Sequence, residues 1–147
     1  MKRFIPVILT LAGLIFVLYY SQLSQTLSTD DNLSDCRPML QNQCEINLRE
    51  SGQLTVKVTP YPFHAEQEHQ MQIDSELKAE LKSAELIGID MNMGIIPLAF
   101  EQLSDNQIQI KVTPASCVNP NMQWRLKIQI LINQQNIYTF IDFPVNH

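Results

Sequence analysis

The sequence predicts an all-β protein, an antiparallel sandwich standing behind one N-terminal membrane helix, on three observations. Residues 4–20 are an uninterrupted apolar run directly after Lys2 and Arg3. Beyond Cys36, apolar residues recur at every second position in several short stretches, which is the period of a half-buried strand. Pro, Gly and Asn turn signals separate those stretches at short intervals.

The apolar run comes first. Cations resist transfer across the bilayer, so Lys2 and Arg3 keep the N-terminus cytoplasmic and direct the rest of the chain outward. At about 1.5 Å per residue, residues 4–20 reach about 25 Å. That is slightly less than a hydrocarbon core of about 30 Å, and Tyr19 and Tyr20 suit the interface that makes up the difference. Ser21, Gln22 and Leu23 follow without a small-residue cleavage pattern, so residues 1–21 read as a retained signal-anchor in the inner membrane. A lipid attachment at Cys36 does not fit, because that cysteine lies far beyond the run and follows Asp35. Residues 22–35 are polar, Ser-rich and aperiodic, as a flexible tether is. Residues 36–147 are then one domain on the periplasmic side, where disulfides form.

Four strands follow from alternation. In residues 53–59, Leu54, Val56 and Val58 share one face and Thr55, Lys57 and Thr59 the other, until Pro60 and Pro62 end the pattern. Residues 106–112 repeat it with Ile108, Ile110 and Val112 inward, closed by Pro114. Residues 122–130 place Met122, Trp124, Leu126, Ile128 and Ile130 together, with Trp124 a core residue. After a turn over residues 133–135, a hairpin partner runs over residues 136–143. Weaker strand patterns occupy residues 44–48, 69–75, 85–91 and 97–103. Residues 75–82 (SELKAELK) carry helical propensity and suit a single turn or a short helix. Seven or eight short strands in one domain favour a sandwich of immunoglobulin-like form.

Charge and motif content narrow the function. Setting aside Lys2 and Arg3 takes the net charge from −5 to −7, which argues against a nucleic-acid partner, since phosphate binding needs clustered Lys and Arg. No Gly-rich phosphate loop, H-E-x-x-H helix or nucleophile elbow occurs, so the chain does not read as an enzyme. Three cysteines, Cys36, Cys44 and Cys117, make one disulfide and one spare thiol the simplest inventory, and spacing leaves all three pairings open. There is no Cys-x-x-Cys, so thiol-disulfide exchange is the weakest functional reading.

Sulfur is the more informative donor. Met91 and Met93 stand in Asp90-Met-Asn-Met-Gly94 and would point the same way if the preceding strand continued to Gly94; Cys117 and Met122 flank the start of a later strand. Thiolate and thioether donors are soft and select Cu(I). Met91, Met93, Cys117 and Met122 are therefore the candidate metal ligands, with a histidine as a further candidate donor. Core filling is the competing role for methionine on an alternating strand. His64 and His69 sit among Glu66, Gln67 and Glu68 and read as surface histidines; His147 ends the chain.

Taken in order, Cys36-Arg-Pro38, Cys44, residues 53–60, Asp90-Met-Asn-Met-Gly94 and Cys117 ahead of Met122-x-Trp124 resemble a family of membrane-anchored bacterial proteins. That family's signature is a Met-Asn-Met-Gly turn and a Cys shortly before Met-x-Trp. It is similar in turn to the FixH-like and YtkA-like domains associated with copper handling and cytochrome oxidase assembly. The resemblance implies a copper-linked accessory role with a copper or oxidase-assembly protein as partner, carried at Met91, Met93, Cys117 and Met122. The chain departs from those domains where Ile95, not His, follows Gly94. The alternative is a metal-free interaction module of an inner-membrane complex, using residues 61–63 and 95–98 as apolar contacts or adding an edge strand to a partner.

Overall fold

The computed structural model describes residues 36–48, 51–117 and 121–146. The expected anchor over residues 1–21, the expected tether over 22–35 and His147 lie outside them. Among the described residues, no helix is long and apolar enough to cross a membrane.

Among the described residues, nine strands form two antiparallel sheets. They are β1 (Gln43–Asn47), β2 (Gln53–Thr59), β3 (His69–Ser75), β4 (Ala79–Gly88), β5 (Ile95–Pro97), β6 (Phe100–Ser104), β7 (Gln107–Val112), β8 (Met122–Ile132) and β9 (Gln135–Val145). One sheet runs β1-β2-β3-β7-β6 and the other β5-β4-β8-β9. The inward faces are those the alternation predicts: Leu54, Val56 and Val58 on β2, Ile108, Ile110 and Val112 on β7, and every second residue of β8 from Met122 to Ile132 are buried. Trp124 is fully buried, and Phe63 stacks on Phe143 at 3.9 Å between ring centres.

The β8–β9 hairpin turns on two residues, Asn133 and Gln134, with φ of 50° and 64°. Two consecutive left-handed residues make the turn whose twist matches that of the flanking strands. Ile132 then pairs with Gln135, and the register holds to Met122 opposite Val145.

Three expectations are corrected. Residues 75–82 contain no helix: Ala79 and Leu81 are buried while Glu80 and Lys82 are exposed, and β4 begins at Ala79. Pairing of Ala79 and Leu81 with Ile132 and Ile130 supplies more buried contact than a lone helical turn can, because a short helix bears its nucleation cost without enough bonds to recover it. A bulge between Leu81 and Ser83 shifts the inward parity to Ala84 and Leu86, which hid a single long strand behind two unlike patterns. The strand expected over residues 85–91 ends at Gly88, and the one expected over 97–103 is two short strands in different sheets.

The spacing left cysteine pairing open; the fold joins Cys36 to Cys44. This loop lies along β9, where Asp142 N–H donates to the Cys36 carbonyl at 2.9 Å and Met39 N–H donates to the Asp142 carbonyl at 2.6 Å. The Asp142 carboxylate accepts two 2.7 Å hydrogen bonds from Arg125, and these hold the guanidinium further above its ordinary range. The guanidinium groups of Arg37 and Arg125 lie 4.8 and 5.3 Å from the ring centre of Phe140.

Candidate metal centre

Antiparallel register brings several loops to one end of the sandwich. The end of β4 faces the start of β8 through Gly88 and Trp124, and the end of β7 faces the start of β3 through Val112 and His69. Hydrogen bonds from Ala65 N–H to Asn146 and from Glu66 N–H to Pro114 tie the β2–β3 loop to the same end.

After Gly88 the chain leaves the strand and folds into a compact turn over residues 89–94. Ile89 N–H donates to the Gln123 carbonyl at 2.9 Å, and Gln123 N–H donates to the Asp90 carboxylate at 2.8 Å, so the turn is pinned to the start of β8 from two sides. Gly94 N–H donates to the Asn92 side chain at 3.1 Å. At φ +77°, position 94 takes a left-handed conformation that glycine adopts without steric cost. The chain then enters β5, where Ile95 pairs with Ile87.

Cys117 arrives from the connection between β7 and β8. Its thiol donates to Met91 Sδ at 3.3 Å and lies 4.0 Å from Met93 Sδ. The disulfide leaves Cys117 as a free, half-buried cysteine. Met91 and Met93 do not share a strand face as a continued strand would have arranged; the turn aims both sulfurs at Cys117 instead. Met91 is 38% exposed, Met93 is half-buried, and Met122 is buried beneath them. A Cβ placed on Gly88 would lie 2.5 Å from the Met122 methyl and 3.4 Å from Met93 Cγ, so both side chains converge on the bare face of that glycine.

The donor set suits a soft ion. A metal–thiolate bond is about 2.3 Å, and three such donors in a trigonal plane stand about 4 Å from one another. The two sulfur separations about Cys117, 3.3 and 4.0 Å, need only side-chain adjustment to meet that spacing. Among the described residues, no group of three or more His, Cys, Asp or Glu is assembled to hold a metal.

His69 is committed elsewhere, to the β2–β3 loop. The expectation of surface histidines is corrected for His69, which is fully buried at the start of β3. His64 N–H donates to its Nε2 at 3.1 Å, its Nδ1 donates to the Pro60 carbonyl at 2.7 Å, and its ring lies 4.9 Å from that of Phe63. Both ring nitrogens are thus occupied in holding the β2–β3 loop. Of the apolar segments, Phe63 packs into the core while Tyr61 is 37% exposed; Ile95 stands 64% exposed beside the sulfur turn, as does Ile89 at 43%.

Two features escaped the spacing argument, Gly88 and the Asp90 cap. The signal for Gly88 was present, since glycines bracket the turn at positions 88 and 94; the Asp90 contact to Gln123 spans 33 residues and has no local signal.

No protein family matches the chain, and no curated protein matches it. Among solved structures, a DUF4785 family protein from Legionella pneumophila subsp. pneumophila str. Philadelphia 1 is similar, with a TM-score of 0.47 and 17% identity. The likeness covers 65% of this chain and 28% of the length of that one.

Proposed function

We propose that the chain is a membrane-anchored periplasmic accessory protein that binds Cu(I) through Met91, Met93 and Cys117, with Met122 as the buried donor below them. Its role is binding rather than catalysis, in copper handling or cytochrome oxidase assembly. The observation that carries this reading is the convergence of three sulfurs from two separate connections, at 3.3 and 4.0 Å about Cys117. Core filling alone gives no reason for a half-exposed thioether to face a free thiol. When bound, Cu(I) would be held by soft donors that favour it over Zn(II) or Cu(II).

The finer description of the sandwich belongs to the same proposal. The orders β2-β3-β7-β6 and β5-β4-β8-β9 correspond to the A-B-E-D and C′-C-F-G arrangement of an immunoglobulin-like domain, with β1 added at an edge. In that scheme the sulfur turn is the C–C′ connection, and Cys117 lies on the E–F connection.

Anaerobic titration of the full chain in detergent with Cu(I) tests the reading, against a competing chelator and with a reductant too mild to open the disulfide. One Cu(I) per chain is expected, with the Met91→Leu, Met93→Leu double variant keeping its fold and losing the ion to the chelator. Equal retention by the variant, or no retention by the natural chain, would overturn it. Exposed Ile89 and Ile95 favour the interaction module as the second reading, in which case a partner survives the double variant unchanged.

A further inference from the structure

We infer that Gly88 is a positioning residue for the sulfur cluster, its missing side chain being the space into which the turn folds so that Met91 meets Cys117. The inference deepens the copper reading and rests on it for its consequence, but its geometric part stands on the packing alone. A Cβ at position 88 would collide with two groups, the Met91 carbonyl, which is nearest, and the Met122 methyl at 2.5 Å, and would touch a third, Met93 Cγ at 3.4 Å; all of them belong to candidate ligands.

These three neighbours differ in how they can yield. The Met122 methyl is the end of a flexible side chain and can rotate aside, and Met93 Cγ needs only a few tenths of an ångström. The Met91 carbonyl is backbone and moves only if the turn moves. That turn is held at Ile89 and Asp90 by the bonds to Gln123, so residue 91 has one way to go, outward from β4. Cys117 does not follow, because it hangs from the β7–β8 connection. An added methyl group therefore opens the 3.3 Å contact between Cys117 and Met91 without touching any sulfur.

Gly88 takes no left-handed conformation that would itself demand glycine, whereas Gly94 does, at φ +77° with open space around its Cβ position. The demand at position 88 is spatial. Disturbing the shell that orients a metal's ligands commonly costs roughly 10- to 100-fold in metal affinity.

Gly88→Ala in the full chain tests this with two readouts. The first is Cu(I) retention against a chelator, expected to fall by roughly 10- to 100-fold. The second needs no metal: the rate at which the Cys117 thiol of the metal-free protein reacts with a maleimide, expected to rise as Met91 moves off it. Amide exchange in β4 and β8 reports whether the sandwich persists. Should Gly88→Ala not fold, adding Met122→Ala removes the side-chain overlap and keeps the collision with the Met91 carbonyl, and the thiol rate decides. Unchanged affinity and unchanged thiol rate in a folded variant would overturn the role of Gly88. If the natural chain holds no Cu(I) while the thiol rate still rises in the variant, the copper reading fails and the positioning by Gly88 stands.

Discussion

Replacing both disulfide cysteines, Cys36→Ala with Cys44→Ala, separates stability from the sulfur site. The bridge spans a sequence separation of 8. Closing a loop of that size removes denatured-chain entropy equivalent to about 2.5 kcal/mol at room temperature. The native contacts beside it survive the substitution, because Cys36 and Met39 reach Asp142 through backbone groups. For a domain of roughly 110 residues, the unfolding entropy converts this loss into a fall in Tm of about 10 °C. Urea unfolding of the oxidised full chain, followed through Trp124, measures it: the midpoint should fall with little change in slope. A loss under about 1 kcal/mol would refute the entropic account, since the predicted loop term exceeds that value. Cu(I) retention should not change in this variant. If it fell, the disulfide loop would be supporting the ion, and the sulfur cluster about Cys117 would lose its main support.

Other perturbations probe single interactions. Arg125→Ala strands the Asp142 carboxylate, whose side chain is 12% exposed, while Arg125 itself is 38% exposed. Solvent screening of the arginine lowers the expected cost below that of a fully buried pair, to about 2 kcal/mol in urea unfolding. A loss under about 0.5 kcal/mol would mean that the pair behaves as a surface one. At Asp74, burial pushes the carboxyl upward, but hydrogen bonds from Gln107, Gln72 and Lys57 together outweigh it and leave the group below its ordinary 3.8. A depressed carboxylate contributes stability above its unfolded value and loses it as pH falls through its folded value. Asp74→Asn should therefore destabilise at pH 7, and the gap to the natural chain should narrow on titration below about pH 4; a gap that does not change with pH would contradict this. Gln134→Gly relieves a left-handed side-chain residue in the β8–β9 turn and should raise stability by about 0.5–1 kcal/mol in thermal melts. A decrease would show that Gln134 makes contacts worth more than the backbone relief.

Much of the fold was legible because one physical signal, alternation, was strong where a strand packs on one face only. β2, β7 and β8 carry uninterrupted alternation and were assigned nearly to the residue. β4 was not legible. Its first half, Ala79 to Lys82, uses residues that also favour helix, and its bulge reverses the inward parity midway, so only the partner strand β8 decides its conformation. His69 read as a surface residue from its acidic and amide neighbours. Its burial depends on Pro60 and His64 folding over the ring, and those contacts do not appear in linear order.

The candidate site divides along the same line. Residue chemistry by itself singled out Met91, Met93, Cys117 and Met122, because soft donors are few and a Met-Asn-Met-Gly turn is a local pattern. Locally, too, the flanking glycines and the Asn92 contact to Gly94 specify a tight turn. Contact between that turn and Cys117 is not local. It requires the β4–β5 and β7–β8 connections to emerge at one end of the sandwich, which antiparallel register in both sheets decides. The pairing of Cys36 with Cys44, which leaves Cys117 free, is likewise an outcome of packing against β9. Side-chain chemistry and short-range periodicity are properties of neighbours in the chain and can be read from it. Which distant segments share a corner of the molecule depends on the summed burial of the two sheets, and only the tertiary structure carries that sum.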